Sequence, residues 1–187
     1  QMLTALALLL GYRPRLMALS SWILLLSLNL RNPMLTYGGD KLSPTLLLIA
    51  ALLPLPARGR TGSSAADWSR LAAPLLTLQM SVLYMAAGFS KALESNWLAG
   101  TALRNALNMD LLVKPLGVWA SQVDSLLLVP TLITPTWEIA MGALLLLPSW
   151  GGRIRSLAVL ALLSLNLGIW LTMDVGYFMM YTSAGLI

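Results

Sequence analysis

The sequence predicts an all-α, polytopic integral membrane protein, and three observations carry that reading. Hydrophobic residues fill 58% of the 187 positions and charged residues only 10%, against about 25% charged in an ordinary soluble domain. The apolar residues gather into runs of about 17–25, long enough to cross a hydrocarbon core as helix. Alternation of period two is absent, which excludes a membrane β-barrel. The expected architecture is a helical bundle of about six or seven transmembrane helices, with amphipathic surface helices on the non-cytoplasmic side. Residues 1–187 read as a single domain without internal repeats. Because the chain opens at Gln1 and closes at Ile187 inside apolar runs, it reads as a fragment or as the ordered part of a longer chain.

The elements follow in order. A first span covers residues 2–10 and ends in a basic turn, Gly11-Tyr12-Arg13-Pro14-Arg15. The second covers residues 16–30 and stops at Asn32-Pro33, since the residue before a proline disfavours helix. Gly38-Gly39 permits a sharp reversal that would present Asp40. A short third span, residues 43–55, is expected to start with Ser43 as N-cap and Pro44 at the first helical position. Residues 58–66 are small, polar and basic, hence a loop, after which Asp67 is placed to cap a fourth helix over residues 68–93. Trp68 in that helix suits an interface, and Pro74 marks a kink or a later start. Residues 95–124 mix Arg104, Asp110, Lys114 and Asp124 with Leu, Val and Trp119, a pattern for two helices on the membrane surface. A fifth span, residues 126–147, is interrupted by Pro130 and Pro135 and carries Glu138. After the Gly151-Gly152-Arg153 turn come a sixth span, residues 154–173, and the start of a seventh near Gly176.

Charge sets the expected orientation. One side holds Arg13, Arg15, Arg58, Arg60, Arg70, Arg153 and Arg155; the other holds Arg31, Lys41, Lys91, Arg104 and Lys114. The positive-inside rule puts the first side in the cytoplasm and the Lys91 end on the non-cytoplasmic side, in what is expected to be a bacterial inner membrane. The net charge of +5 does not point to nucleic acid, because the arginines lie in short loops. The lipid bilayer is the expected partner, with other membrane protein subunits as further candidates.

The chain has no cysteine and no histidine, so haem, iron–sulfur and zinc ligation through those residues is excluded. No carboxylate metal cluster, phosphate loop or nucleophile triad is visible. Acid–base chemistry would fall to Lys, Asp, Glu or Tyr. Two readings fit Lys91: a lysine at the end of a span that snorkels to water, or a desolvated amine between helices that acts as a base. Glu138 stands in mid-span, where a lone carboxylate is costly. It serves either as helix–helix glue or as a proton carrier and partner of Lys91. Arg31, Asn32, Asp40, Asn166 and Asp174 form an outer polar set, in which Arg31 and Asp40 could close a loop as an ion pair. Asn166 lies one helical turn before Trp170, and an intramembrane asparagine is often glue between helices.

Three stretches carry a family resemblance. Arg31–Asp40 reads RNP(x)4GGD, residues 78–103 read LQMSVLYMAAGFSKALESNWLAGTAL, and residues 137–147 read WEIAMGALLLL. Together they resemble the HTTM domain, the membrane domain shared with vitamin K-dependent γ-carboxylase, over residues 20–184. The most specific motif is YxxAGxxK followed by W(x)2G, which here is Tyr84 to Lys91 and Trp97 to Gly100. The resemblance implies Lys91 as the base that deprotonates a hydroquinone, with Trp97 and Gly100 shaping the turn beside it and Tyr84 in the same cofactor-binding motif. Glu138 falls where the family tends to carry an acid. Asn166 stands where the family often has a histidine, and a neutral amide cannot exchange a proton there. The β-rich region that recognises the carboxylase's protein substrate is absent from these residues. Two functions are therefore expected: a site for a quinone or lipid near Lys91, with carboxylase activity not carried over, or a non-catalytic subunit of a larger photosynthetic or respiratory membrane complex.

Overall fold

The computed structural model describes residues 1–31, 38–52, 63–147 and 152–186, with side-chain detail for these except 38–41, 63–73 and 124. They are all-helical, with no strand among the described residues. They form two compact units, Gln1–Leu76 and Thr77–Ile187.

The first unit opens with α1 (Met2–Leu9) and α2 (Pro14–Arg31). The turn between them uses a left-handed glycine, Gly11 at φ 70°, and Arg13 at φ 38°. Pro14 opens α2, where its missing N–H costs no helical bond. Ser21 Oγ donates to Thr4 Oγ1 at 2.9 Å and ties the two helices together beside the fully buried Ala18. α3 (Gly38–Leu52) packs on α2. This corrects two expectations. Gly38, Gly39 and Asp40 form the first turn of a helix instead of a reversal, and Ser43 and Pro44 lie inside that helix, not at its cap. Leu42, Ser43 and Pro44 are all buried, so packing rather than the local start signal fixes where α3 begins. Pro44 removes only the bond to the Asp40 carbonyl, close to the helix start. The expected stop at Asn32-Pro33 falls outside the described residues, as does the Asp40 side chain on which the Arg31–Asp40 pair depends, although α2 does end at Arg31.

α4 runs from Ser63 to Ala92, 30 residues with Pro74 inside it. Its start lies five residues before the expected one and places Asp67 within the helix; Ser63 to Ala66, expected as loop, already belong to it. The remaining loop residues, 58–62, fall outside the described residues. Beyond α4 the second unit continues with α5 (Ser95–Leu98), α6 (Ala102–Leu107), α7 (Pro115–Ser121), α8 (Asp124–Leu146), α9 (Arg153–Thr172) and α10 (Phe178–Leu186). Three short helices thus replace the two surface helices expected between residues 95 and 124. Gly100, at φ +74°, separates α5 from α6 at an angle only glycine adopts readily.

α8 remains one helix through Pro130 and Pro135. Thr131 Oγ1 donates to the Leu127 carbonyl at 2.6 Å, Thr134 Oγ1 to that of Pro130 at 2.7 Å, and Thr136 Oγ1 to that of Ile133 at 2.9 Å. These bonds bind the turns around the prolines, as neighbouring hydroxyls do in apolar surroundings. The expected interruption is therefore absorbed. Among the described residues, two helices are long and apolar enough to cross a membrane, Ser125–Leu146 and Arg153–Thr172.

The second unit is assembled around the C-terminal half of α4. A Cβ at Gly88 would come within 2.6 Å of the Pro135 carbonyl oxygen, and one at Gly142 within 3.1 Å of the Ser81 carbonyl oxygen. Glycines on α4 and α8 thus let the two backbones approach closely. The pairing of residue 88 with 135–139, and of 142 with 81–85, makes the helices antiparallel. Ser81 Oγ locks the crossing by donating to the Gly142 carbonyl at 2.7 Å. Gly185 on α10 leaves room for the Met80 side chain of α4.

Candidate functional site

α4 stops at Ala92, and its antiparallel register brings this end opposite the middle of α8. The short helices α5 and α6 then pack along the first half of α8. Lys91 in the last turn of α4 and Glu138 on α8 therefore meet: Lys91 Nζ donates to Glu138 Oε2 at 2.7 Å. The Glu138 side chain is 6% exposed and that of Lys91 25%. A carboxylate this enclosed persists only with a charged or hydrogen-bonding partner, and the lysine supplies both. The Trp97 ring on α5 lies 5.6 Å from Lys91 Nζ, within cation–π range. Gly100 turns the chain directly after α5, and its bare Cα rests against Leu128 of α8.

A second polar cluster lies deeper among α4, α9 and α10. Tyr84 is two helical turns before Lys91 on α4. Asn166 Nδ2 donates to the Tyr84 hydroxyl at 2.8 Å and to Thr182 Oγ1 at 2.9 Å. Thr182 in turn donates to the Phe178 carbonyl at 2.8 Å. Tyr84, Asn166 and Thr182 are all buried.

Of the residues singled out in the sequence, Lys91, Glu138, Trp97 and Gly100 come together, and Tyr84 and Asn166 meet in the adjoining cluster. Arg31 ends α2 and Asp40 lies in the first turn of α3, both in the first unit. Asp174 stays outside both clusters, where its Oδ1 accepts the Gly176 N–H at 3.3 Å. Among the described residues no group of three His, Cys, Asp or Glu side chains could hold a metal ion.

Sequence reasoning missed Thr182 and the partner of Trp170. Trp170 is 43% exposed, whereas Asn166 one turn earlier is enclosed. The Trp170 ring is covered by Lys114, whose Nζ lies 4.6 Å from its centre and donates to the Trp170 carbonyl at 2.7 Å. Backbone bonds from Lys114 N–H to Thr172 (2.9 Å) and from Asp174 N–H to Leu112 (2.6 Å) fasten the start of α7 to the end of α9. A cation at a helix C-terminus is a known signal, but the two residues are 56 positions apart and nothing in the sequence pairs them.

Compared with family models, with curated proteins and with solved structures, the chain matches none.

Proposed function

We propose that the chain is an HTTM-like polytopic protein of a bacterial inner membrane. In this reading the Lys91–Glu138 pair, with Trp97 beside it, holds the polar head of a quinone or lipid on the non-cytoplasmic side. The observation that carries the reading is the ion pair itself, a charge couple enclosed between otherwise apolar helices. The membrane setting is supported by the distribution of polarity. Only 28% of the span window in α8 and 17% of that in α9 is buried, whereas the core of a soluble protein would cover such helices. The large apolar side chains Leu128, Val129, Leu132 and Ile133 on α8 and Leu157, Leu160, Leu167 and Trp170 on α9 are exposed, while Thr131 and Glu138 on α8 and Asn166 on α9 are buried.

The chemistry follows from the pair. An ammonium has three N–H donors, and one is committed to Glu138. The others can meet a ligand carbonyl or hydroxyl next to the indole. Proton transfer from Lys91 Nζ to Glu138 Oε2 along the 2.7 Å bond would leave an amine and a carboxylic acid with no change in net charge. Such a step suits a site with little water, and the amine it exposes can accept a proton from a ligand hydroxyl. Carboxylation of glutamate is not part of the proposal.

A second reading, an accessory subunit of a membrane complex, is favoured by the exposed leucines 157, 160, 167 and 171 on α9, which need lipid or protein to cover them. Purification in gentle detergent followed by native mass spectrometry separates the two. A stoichiometric lipophilic molecule that is lost in Lys91→Met supports the site. Stoichiometric protein subunits with no such molecule support the second reading and reduce the pair to a structural role.

A further inference from the structure

Asn166 is 1% exposed, and its amide is used unevenly. Both Nδ2 hydrogens are spent, on Tyr84 Oη and on Thr182 Oγ1. Thr182 Oγ1 donates back to the helix, to the carbonyls of Phe178 at 2.8 Å and Met179 at 3.2 Å, and accepts from Asn166 Nδ2. Tyr84 Oη accepts from Asn166. Asn166 Oδ1 is left buried with no hydrogen-bond partner, and so is Ser183 Oγ on α10. Buried carbonyl oxygens in folded proteins are almost always paired, with protein or with a bound molecule. Apolar side chains would fill this position without leaving an acceptor in need.

We infer that Asn166 Oδ1 is the acceptor of a small binding site between α4, α9 and α10 that takes one O–H or N–H donor from outside the chain. Two sources share that chemistry, an internal water and the hydroxyl of a lipid-soluble alcohol. A ligand offering only ether or carbonyl oxygens is rejected, because it would set acceptor against acceptor. The site does not depend on the Lys91–Glu138 pair and would exist in either functional reading.

The test is infrared spectroscopy of protein labelled with 13C at the asparagine side-chain carbonyl, in lipid nanodiscs. Subtracting the spectrum of Asn166→Leu, or of Asn166→Ser where leucine disturbs packing, isolates the Asn166 band. A carbonyl stretch at the lower wavenumber of a hydrogen-bonded amide, unchanged in Tyr84→Phe and Ser183→Ala, is the expected result. A stretch at the unbonded position overturns the inference. So does a low stretch that moves to the unbonded position in either of those variants, since the donor is then the protein. The source is read separately. An O–H band that shifts in H2(18)O and disappears in Asn166→Leu identifies water, and a hydroxyl compound in the organic extract of wild type but not of the variant identifies an alcohol.

Discussion

The Lys91–Glu138 pair predicts an asymmetric response to truncation. Glu138 is nearly enclosed, at 6% exposure, whereas Lys91 retains 25%. Replacing lysine by methionine keeps the packing of the stem but strands a carboxylate among α4 and α8, and breaking a buried pair in this way costs about 3 kcal/mol. Replacing Glu138 by leucine leaves an ammonium on a flexible stem that can reach out to water, and this should cost about 1.5 kcal/mol. With both replaced no charge is stranded, and the loss should fall well below the sum of the single costs, about 4.5 kcal/mol. The assay is equilibrium unfolding in mixed micelles titrated with a denaturing detergent, followed by the fluorescence of the seven tryptophans. Additive single costs, or a Lys91→Met cost below about 0.5 kcal/mol, would refute the reasoning, because the pair would then be worth no more than an exposed one.

The other predictions use the same titration. Gly88→Val should destabilise by about 2 kcal/mol, since a Cβ there meets the Pro135 backbone oxygen at 2.6 Å and the Ile139 backbone nitrogen at 3.0 Å, neither of which can swing aside. Gly142→Ala should cost about 1 kcal/mol, because its Cβ would meet Met85 Cγ at 2.9 Å and the backbone atoms Ser81 O at 3.1 Å and Met85 N at 3.2 Å, which must give by a few tenths of an ångström. Gly168→Ala meets nothing within 4 Å inside α9 and should stabilise by about 0.5 kcal/mol. Gly152→Ala also meets nothing, but at φ +78° it should cost about 1 kcal/mol. Lys114→Met removes the bond to the Trp170 carbonyl and the contact with its ring; a loss of about 1 kcal/mol is expected, with faster amide exchange at Lys114 and Asp174.

The helical class was legible because it rests on composition and run length, which need no partners. Helix ends were less so. Ser43-Pro44 has the chemistry of a helix start, yet α3 begins at Gly38, because burial of Leu42 and Ser43 outweighs a capping preference worth about 1 kcal/mol. The two prolines of α8 read as breaks for a similar reason: the threonine hydroxyls that bind the neighbouring turns are visible only once the helix exists. In the site, Lys91, Glu138 and Asn166 stood out as polar groups in apolar runs, the signal that hydrocarbon makes expensive. Their meeting did not follow from spacing, since it depends on the antiparallel register that Gly88 and Gly142 permit. Thr182 left no mark, because a threonine that donates to the carbonyl four residues back looks like any other helical threonine.

The most direct test of the account is a nitrogen–carbon dipolar recoupling measurement on the protein in bilayers, with 15N on lysine side chains and 13C on glutamate carboxyl groups. The chain has three lysines, Lys41, Lys91 and Lys114, and two glutamates, Glu94 and Glu138, so a close pair can be assigned by substitution alone. The account predicts strong recoupling from one nitrogen and one carboxyl, as a 2.7 Å ion pair requires, lost in both Lys91→Met and Glu138→Gln. A Lys91 nitrogen with no carboxyl within bonding range would contradict it, and the site proposed around the pair would fall with it.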